Sequence, residues 1–524
     1  MEKANGSETS TMFQVNRRAF QPPNGSPITG ETESRLESPG HFEIYRRAEI
    51  TTSSSKVSLD DKQQQIGQKL FVSSKEIGKS GTGTVVYEGI YDNIAVAVKR
   101  ILQSHDDQAD REIKIFIAVS KESKNVIRYY GAERDKDFIY LVLERCDCNL
   151  DDLIQIYSTD SSQNKPESKE YLVELQNILG GVKLWEENNV RPSHLLLKLM
   201  RDMVSGLVVL HESGIVHRDL KPQNILIVKP QNILIVEENP TLCAKLADMG
   251  NSRQLRDDKS SFTNISRSGT MGWKARECLL AEERWRPTAT LADQLSNTEV
   301  QRLTRSMDMF SLGCLLFYCI TGGIHPFGDH DERNMNIRTE NVKNMAMIQK
   351  FPEAFHLISP LLEADYNNRP KANEVLRHPL FWDAKKRLSF LSDISDRLSK
   401  NSNISNVLES TANTIFETET MCCFLNVVLR WNKKVHAEII KHVSTNAKST
   451  YNFSSVGDLL RLIGEILKNY QQLPDTIQIL VGPQYEGLND YFTRRFPMLL
   501  IEVYKVVYTH CKEEEYFNKY FKEI

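Results

Sequence analysis

The spacing of apolar residues changes along the chain and divides it into segments. Residues 1–68 are rich in Ser, Thr, Gln, Pro and Gly, so they are expected to form a disordered N-terminal arm that cannot bury enough apolar area to offset chain entropy. From Phe71 to Leu143 the apolar residues fall in short runs, KEIGKSGTGTVVYEGI, IAVAVKRI and FIYLVLE, interrupted by a helical stretch at 107–120. This pattern predicts a small, mostly antiparallel sheet that carries one helix.

After Asp147 the apolar positions recur at helical spacing. Three stretches predict helices: LLLKLMRDMVSGLVVLHESG, SMDMFSLGCLLFYCITGG and KANEVLRHPLFW. Residues 157–193 are polar and are interpreted as a loop-like insertion, whereas 388–524 is helical with a Ser/Asn-rich break at 400–406 and a polar stretch at 442–455. The chain is therefore predicted to form two units, a two-lobed α+β unit followed by an all-α unit.

Composition and charge narrow the class of protein. With 40% hydrophobic and 26% charged residues, the chain is typical of soluble globular proteins, and its net charge of −3 gives no overall signature of nucleic-acid binding. Nine cysteines without metal-ligand spacing, and an N-terminus without a secretion signal, indicate a reducing compartment, cytosolic or nuclear. The apolar run 310–324 is too short and too interrupted to span a bilayer, so a buried core helix is expected and no membrane span.

Several motifs follow one another at spacings that suit phosphoryl transfer. The stretch GKSGTGTV, with Gly78, Gly83 and Val85, lies between two strand-like runs, and glycines there would let the backbone approach phosphate oxygens closely. Further along come a lysine that ends an apolar run, a glutamate on the following helix, HRDLKPQN and ADMG. These motifs contribute Lys99, Glu112, Asp219, Lys221, Asn224 and Asp248.

These motifs and their order resemble the eukaryotic protein-kinase family. The resemblance implies that Lys99 holds ATP phosphates and pairs with Glu112, that Asp219 accepts the substrate hydroxyl proton, and that Lys221 stabilises the transferred group. It also implies Mg²⁺ ligation by Asn224 and Asp248. ATP contacts are expected from Gly78, Gly83, Val85, Lys99, Glu112, Glu144 and Cys146.

The chain departs from the kinase pattern at three places. Ser80 stands at the middle glycine of the phosphate loop, and Arg276 replaces the proline of the APE element, whose glutamate the resemblance pairs with Arg369. The third departure is a repeat, because KPQNILIV occurs at 221–228 and again at 229–236. Only Asn224 of the first copy lies five residues after Asp219, whereas the second copy leaves the commoner loop length before the next strand, six residues instead of 14. We expect the first copy to build both the catalytic loop and the strand, with the second copy bulged out.

The segment after ADMG carries hydroxyl groups that are candidate phosphorylation sites, although Ser and Thr are also common in such loops. Arg218 could bind a phosphate there. The candidates are Ser260, Ser261, Thr263, Ser266, Ser268 and Thr270.

The join between the two units reads HPLFWDAKKRLSFLSDISDRL, and the end of the chain reads YFTRRFPMLLIEVYKVVYTHCKEEEYFNKYF. Together they resemble the kinase-extension nuclease domain of the inositol-requiring kinase/endoribonuclease family, the unfolded-protein-response transducers, and LWEENNVRPSHLLLKLMRDMVSGL and DMGNSR look closest to its plant branch. The resemblance implies a kinase domain at 69–384 (lobes 69–146 and 147–384) and a nuclease-like domain at 385–524. In the family a tyrosine precedes a helix with an Arg-Asn pair and a histidine. Here Tyr451 is present, but the helix carries Gly464, Glu465 and Asn469 at those positions, so RNA cleavage is predicted to be lost.

Three functions follow from these resemblances. The first is a Ser/Thr kinase that uses ATP and Mg²⁺, lacks the family's lumenal sensor and membrane span, and is cytoplasmic or peripheral to the endoplasmic reticulum through a partner. The second is a pseudoenzyme scaffold that forms homodimers or heterodimers with an active relative through both domains. The third, a bifunctional kinase/endoribonuclease, is disfavoured by the substitutions at 464–469, which leave RNA binding weak or absent.

Overall fold

A computed structural model describes most of the chain. The described residues are 63–79, 84–119, 123–158, 170–186, 191–229, 242–255, 269–284, 304–398, 402–416, 430–446 and 450–522.

An antiparallel six-stranded sheet forms the first lobe, in the order β1-β2-β3-β4-β6-β5. Its elements are β1 (Gln63–Ile66), β2 (Leu70–Lys79), β3 (Val85–Tyr91), β4 (Ile94–Leu102), β5 (Tyr129–Arg134), β6 (Phe138–Glu144) and the helix α1 (Asp106–Val119). The predicted sheet with one helix is therefore confirmed. The arm assigned to 1–68 is wrong at its end, because β1 pairs with β2 across a turn at Gly67 (φ +64°) and buries Ile66.

The second lobe is mainly helical. Its helices are α2 (Leu150–Tyr157), α3 (Glu170–Leu179), α4 (His194–Glu212), α5 (Arg276–Arg284), α6 (Ser306–Ile320), α7 (Arg333–Arg338), α8 (Pro352–Leu361) and α9 (Ala372–Leu376), and its short strands are β7 (Cys148–Asn149), β8 (Ile215–Val216), β9 (Ile225–Val228), β10 (Cys243–Leu246) and β11 (Arg253–Gln254). The side chain of Ser193 caps α4 by accepting a hydrogen bond from Leu196 N at 3.2 Å.

The insertion at 157–193 is not simply loop-like. It contains α3, and Leu175, Leu179 and Trp185 are buried in the core of the lobe. The Trp185 indole donates to the carbonyl of Ile320 at the end of α6. Buried apolar side chains spaced among polar residues thus dock this segment onto the lobe.

The run that was expected to be a core helix is α6, and nearly all its residues are buried. Gly313 lets α6 approach α8 closely, since a Cβ at this position would lie 2.7 Å from Leu361 Cβ. In the part of the chain that the structure describes, no helix is long and apolar enough to cross a membrane.

Helices build the second unit. They are α10 (Ala384–Leu398), α11 (Ser402–Glu409), α12 (Ala412–Phe416), α13 (Ala437–Asn446), α14 (Val456–Lys468), α15 (Asp475–Val481), α16 (Glu486–Arg495), α17 (Leu499–Cys511) and α18 (Asn518–Phe521). The break expected at 400–406 is wrong in part, because α11 begins at Ser402. The Glu409 carboxylate, at the end of α11, accepts hydrogen bonds from Val456 N and Gly457 N and so satisfies two free N–H groups of α14.

The two units share a buried joint. The Arg387 guanidinium on α10 contacts the Glu353 carboxylate on α8 at 2.9 Å, and it also donates to the carbonyls of Pro379 and Trp382. Nearby, His356 Nδ1 and His378 Nε2 lie 2.8 Å apart, and both rings pack edge-on against Tyr504 of α17. Arg387 thus pairs with polar atoms across the two units, whereas the two histidines pair with each other within the kinase unit.

Candidate kinase site and candidate nuclease site

Lys99 lies at the back of the cleft between the two lobes. Its position on β4 buries the ammonium, whose Nζ contacts Glu112 Oε1 at 2.7 Å and Asp248 Oδ1 at 2.9 Å. Burial alone would lower the pKa of Lys99, but the carboxylates of Asp248 and Glu112 outweigh it and raise that pKa. The structure thus brings together the lysine and the two acids that the sequence motifs singled out.

The cleft next to Lys99 is apolar. Glu144 and Cys146, at the connection between the lobes, line it with Ile77, Val86 and Leu226. Gly78 and Val85 lie on the strands of the predicted hairpin, where Gly78 pairs with Val86. Gly83 and Ser80 lie outside the described residues.

The first copy of the repeat builds the catalytic loop. Asn224 donates from Nδ2 to the Asp219 carbonyl at 2.8 Å and to Asp219 Oδ2 at 3.2 Å, and Lys221 Nζ lies 3.4 Å from the same carboxylate. The following residues form β9, in which Val228 pairs with Cys243 and Ile225 with Leu246. The expectation that one copy supplies both loop and strand is therefore confirmed.

A hydrogen bond holds the backbone directly after the first copy of the repeat. Lys229 N donates to Asp147 Oδ2 at 2.6 Å, directly after β9. Residues 230–236 of the second copy lie outside the described residues.

A buried aspartate holds the turn before Asp219. Asp308 accepts hydrogen bonds from His217 N at 2.7 Å and from Arg218 N at 2.8 Å. Arg218 has φ +72°, a left-handed conformation that costs free energy for a residue with a side chain. The two bonds from Asp308 stabilise that conformation and so orient Asp219.

The oxygen atoms in the site fit a magnesium ion. Asn224 Oδ1 is buried and has no hydrogen-bond partner within the described residues, so an acceptor oxygen is available for a ligand. Burial would raise the pKa of Asp248, but Lys99 outweighs this and lowers it, so the carboxylate is ionised. Carboxylate and amide oxygens are the ligands that Mg²⁺ prefers. Asn224 and Asp248 would hold the ion, which would neutralise phosphate oxygens when bound.

Thr270 contacts two residues of the catalytic loop. Its hydroxyl donates to Asp219 Oδ1 at 2.7 Å and accepts from Lys221 Nζ at 2.6 Å. Both the proton and a lone pair of the hydroxyl are thus used inside the site, and phosphorylation of Thr270 stays a prediction. The other five candidates, Ser260, Ser261, Thr263, Ser266 and Ser268, lie outside the described residues.

Asn251 is a site residue that the sequence analysis missed. It donates from Nδ2 to Asp219 Oδ2 at 3.3 Å, and its carbonyl accepts from Arg218. Its position just after ADMG was the available signal, but nothing in the residue type indicates this contact.

The fold accommodates Arg276, which stands where the kinase pattern has a proline. Arg276 begins α5, and its Nε donates to the Arg338 carbonyl at 2.9 Å. The next residue, Glu277, forms a buried bidentate salt bridge with Arg369. The two guanidinium nitrogens lie 2.7 and 3.0 Å from the two carboxylate oxygens, and this is the pairing that the resemblance implied.

In the nuclease-like unit, Tyr451 contacts two charged side chains of helix α14. The Tyr451 hydroxyl donates to Glu465 Oε2 at 2.6 Å, and the Arg461 guanidinium lies 4.1 Å from the centre of the Tyr451 ring. Burial and the Glu465 carboxylate raise the pKa of Tyr451, so the phenol keeps its proton. Asn469 is exposed at the end of the helix.

Gly464 is buried where α14 crosses α10. A Cβ at this position would lie 3.2 Å from Ser392 Oγ on α10, which is tighter than ordinary van der Waals contact. The position where the family resemblance expects an arginine is therefore part of a helix–helix contact in this chain.

Fold and sites together define a protein kinase joined to a ribonuclease-like helical domain. Residues 71–381 match the protein kinase domain family, and residues 387–521 match the ribonuclease 2-5A family. Over 465 residues the chain is 44% identical to the serine/threonine-protein kinase/endoribonuclease IRE1b of Arabidopsis thaliana, covering 87% of this chain and 48% of that protein.

Two further relatives bear on the assignment. The chain is 34% identical to the inactive serine/threonine-protein kinase/endoribonuclease IRE1-like protein of Arabidopsis thaliana, covering 87% of this chain and 79% of that protein. It is 31% identical to the sensor for unfolded proteins in the ER, ire1, of Schizosaccharomyces pombe, with 86% of this chain and 39% of that protein covered. The chain belongs to the IRE1 family of kinase/endoribonucleases, as the resemblance implied. It spans about half the length of the first relatives that it matches, 48%, 51% and 45%.

Proposed function

We propose that the chain is a serine/threonine kinase that uses ATP and Mg²⁺, and that its nuclease module no longer cleaves RNA. The kinase part of this proposal rests on the catalytic loop around Asp219, which the first copy of the repeat forms. Asn224 and Lys221 of that copy both contact the Asp219 carboxylate. Lys99 and Asp248 face each other across the cleft, where phosphates and the metal ion would bind. Asp219 would accept the proton of the substrate hydroxyl while Lys221 stabilises the transferred phosphoryl group.

The loss of RNA cleavage is supported by the charge at α14. Glu465 brings a carboxylate to the surface that would meet an RNA phosphate, and it also holds the Tyr451 hydroxyl as a hydrogen-bond acceptor. Gly464 and Asn469 provide neither a cation nor an imidazole at the remaining positions. A purified chain is expected to leave an RNA stem-loop intact under conditions in which an active relative cleaves it.

Kinase activity is tested by incubating the purified chain with Mg·ATP and mapping phosphorylated residues by mass spectrometry. Phosphate is expected among Ser260, Ser261, Thr263, Ser266 and Ser268. The matched control is Asp219→Asn, which keeps the shape of the side chain but removes the proton acceptor, and it is expected to abolish the modification.

The second candidate is a nucleotide-binding scaffold that dimerises with an active relative and modulates it from the cytoplasm. It is favoured by the altered α14 surface and by the name of the relative called inactive, to which this chain is 34% identical. Bound ATP without phosphate transfer, in both the wild type and the Asp219→Asn variant, would support the scaffold and contradict the kinase.

A further inference from the structure

A buried carboxylate of the first lobe has no part in the chemistry proposed above. Glu88 on β3 is only 2% exposed, and it lies opposite Ala97 of β4, which lines the nucleotide cleft. Val86, two residues before Glu88 on the same strand, also lines the cleft. Because residues two apart on a strand, and residues opposite each other on paired strands, share a face of the sheet, Glu88 is on the face that covers the cleft.

Two cations compensate this carboxylate. Glu88 Oε1 accepts hydrogen bonds from Lys75 Nζ at 2.9 Å and from Arg145 Nη2 at 2.8 Å. Both are needed close by, because a buried carboxylate without a cation is strongly destabilising. Lys75 is on β2 of the same sheet, whereas Arg145 directly follows the last residue of β6. One of the two cations therefore comes from a segment outside the sheet.

That segment is the connection between the lobes, residues 144–147, which forms a wall of the cleft. Glu144 and Cys146, on either side of Arg145, line the cleft. Its apolar part suits the flat ring system of a nucleotide base, whereas Lys99 and Asp248 mark the end where phosphates would bind. The distance between the connection and the sheet therefore sets the width of the slot for the base.

Adjacent side chains fix the connection to both lobes. Glu144 Oε2 lies 2.9 Å from Lys245 Nζ on β10 of the second lobe. The next residue, Arg145, reaches back to Glu88 of the first lobe. The opening of the cleft at the connection is thus held from both sides by ion pairs.

We propose that Arg145 is a positioning residue for nucleotide binding, because its ion pair with Glu88 fixes the connection against β3 and keeps the base slot at its binding width. The inference rests on the nucleotide binding that both candidate functions include. Without the ion pair the slot adopts a range of widths, and the affinity falls in proportion to the fraction of molecules that keep the binding width.

Calorimetric titration of the full chain with Mg·ADP and with adenosine tests this role. Arg145→Met is expected to weaken the binding of both ligands by the same factor, about tenfold. The factors are expected to be equal because both ligands carry the base, and adenosine has no charge that a guanidinium could attract. The melting temperature of this variant is expected to match that of the wild type, since Lys75 still compensates Glu88.

The matched control is Lys75→Met, which removes a cation from the same carboxylate oxygen and leaves the pair between Arg145 and Glu88 in place. It is expected to bind both ligands like the wild type. Arg145→Lys keeps a cation on the connection and is expected to recover most of the affinity that Arg145→Met loses.

Four results would overturn the inference alone. They are equal weakening in Arg145→Met and Lys75→Met, weakening for Mg·ADP without weakening for adenosine, wild-type affinity in Arg145→Met, and an Arg145→Lys variant as weak as Arg145→Met. The second of these would show simple attraction of phosphates to the guanidinium. A wild type that binds neither ligand would overturn the proposed function and this inference with it.

Discussion

Three segments of the chain converge on the carboxylate of Asp219. Asn224 comes from the catalytic loop, Asn251 from the segment after ADMG, and Thr270 from the segment before α5. Asp219 is thereby oriented from several sides, whereas the sequence motif alone indicated only the partner within its own loop.

Replacing Thr270 tests this orientation. Thr270→Val keeps the shape of the side chain but removes the hydroxyl that contacts Asp219 Oδ1 and Lys221 Nζ. We expect kcat for phosphate transfer to fall about tenfold or more, because hydrogen bonds to charged groups contribute about 1.5–3 kcal/mol, while KM for ATP stays constant. Steady-state kinetics with Thr270→Ser as the control checks this, and a serine variant as slow as the valine variant would contradict the role of the hydroxyl.

At α14, the packing around Gly464 limits which side chains fit at the position where the family resemblance expects an arginine. Gly464→Arg would place a long side chain where a Cβ already approaches Ser392 Oγ at 3.2 Å. The residue at position 464 is therefore tied to the packing of α14 against α10.

Among the secondary-structure elements, β9 is the one for which the sequence offers two candidates. In the structure the first copy forms this strand between β7 and β10, and Ile225 and Ile227 are fully buried. The second copy has the same side chains, and because the copies are eight residues apart, a slip by one copy would keep each side chain on the same face of the sheet.

Deleting residues 229–236 separates the roles of the two copies. The connection from Val228 to Cys243 would shorten from 14 to six residues, which is expected to raise the free energy of unfolding by about 0.8 kcal/mol through loop-closure entropy. Kinase activity is expected to stay unchanged, since Asp219 and Asn224 keep their spacing. Urea unfolding and phosphate-transfer assays measure both effects.

A Gly/Ser replacement of residues 229–236 serves as the control for this deletion. It keeps the length of the connection but removes the duplicated apolar residues. Loss of activity in both altered proteins would mean that the second copy, and not the first, supports the site.

Much of the architecture could be predicted because it depends on local patterns. The strands β2 to β4 and the helices α4 and α6 follow the spacing of their own apolar residues. By contrast, the docking of Trp185, after α3, depends on the carbonyls at the end of α6, which are distant in sequence. Asn251 and Gly464 were not recognised as contact residues for the same reason, because their partners are on other elements.

On the scale of the whole molecule, the joint between the units contains a pair of histidines. His378 Nδ1 accepts a hydrogen bond from Leu380 N at 3.1 Å, so the proton of its Nε2 points towards His356 Nδ1. Burial lowers the pKa of both residues, with further lowering from Lys505 for His356 and from His356 for His378. Both imidazoles are therefore neutral in the folded protein.

This pair predicts a loss of stability in acid. The pKa values in the folded state lie below the ordinary value near 6.5, so the unfolded chain binds more protons once the pH falls through about 6.5. The free energy of unfolding is expected to be fully retained above that pH and to decrease between about pH 6.5 and 5. Denaturant unfolding of His356→Gln at pH 7.5 and 5.5 should show a smaller decrease than the wild type.

The control for this measurement is His330→Gln, which changes an exposed histidine on the kinase surface. It should retain the full pH dependence of the wild type. If His356→Gln and His330→Gln lose equal stability on acidification, the joint histidines are not the groups that titrate.

The ion pair between Arg387 and Glu353 has a consequence for how this protein can evolve. A kinase fragment that ends before α10 would leave the Glu353 carboxylate in its buried position without the guanidinium that compensates it. A recombination event that exchanged one unit for an unrelated domain would create the same defect. Inheritance of the two units as a single piece is therefore favoured, and selection for folding of the kinase unit alone would suffice to preserve the nuclease-like domain.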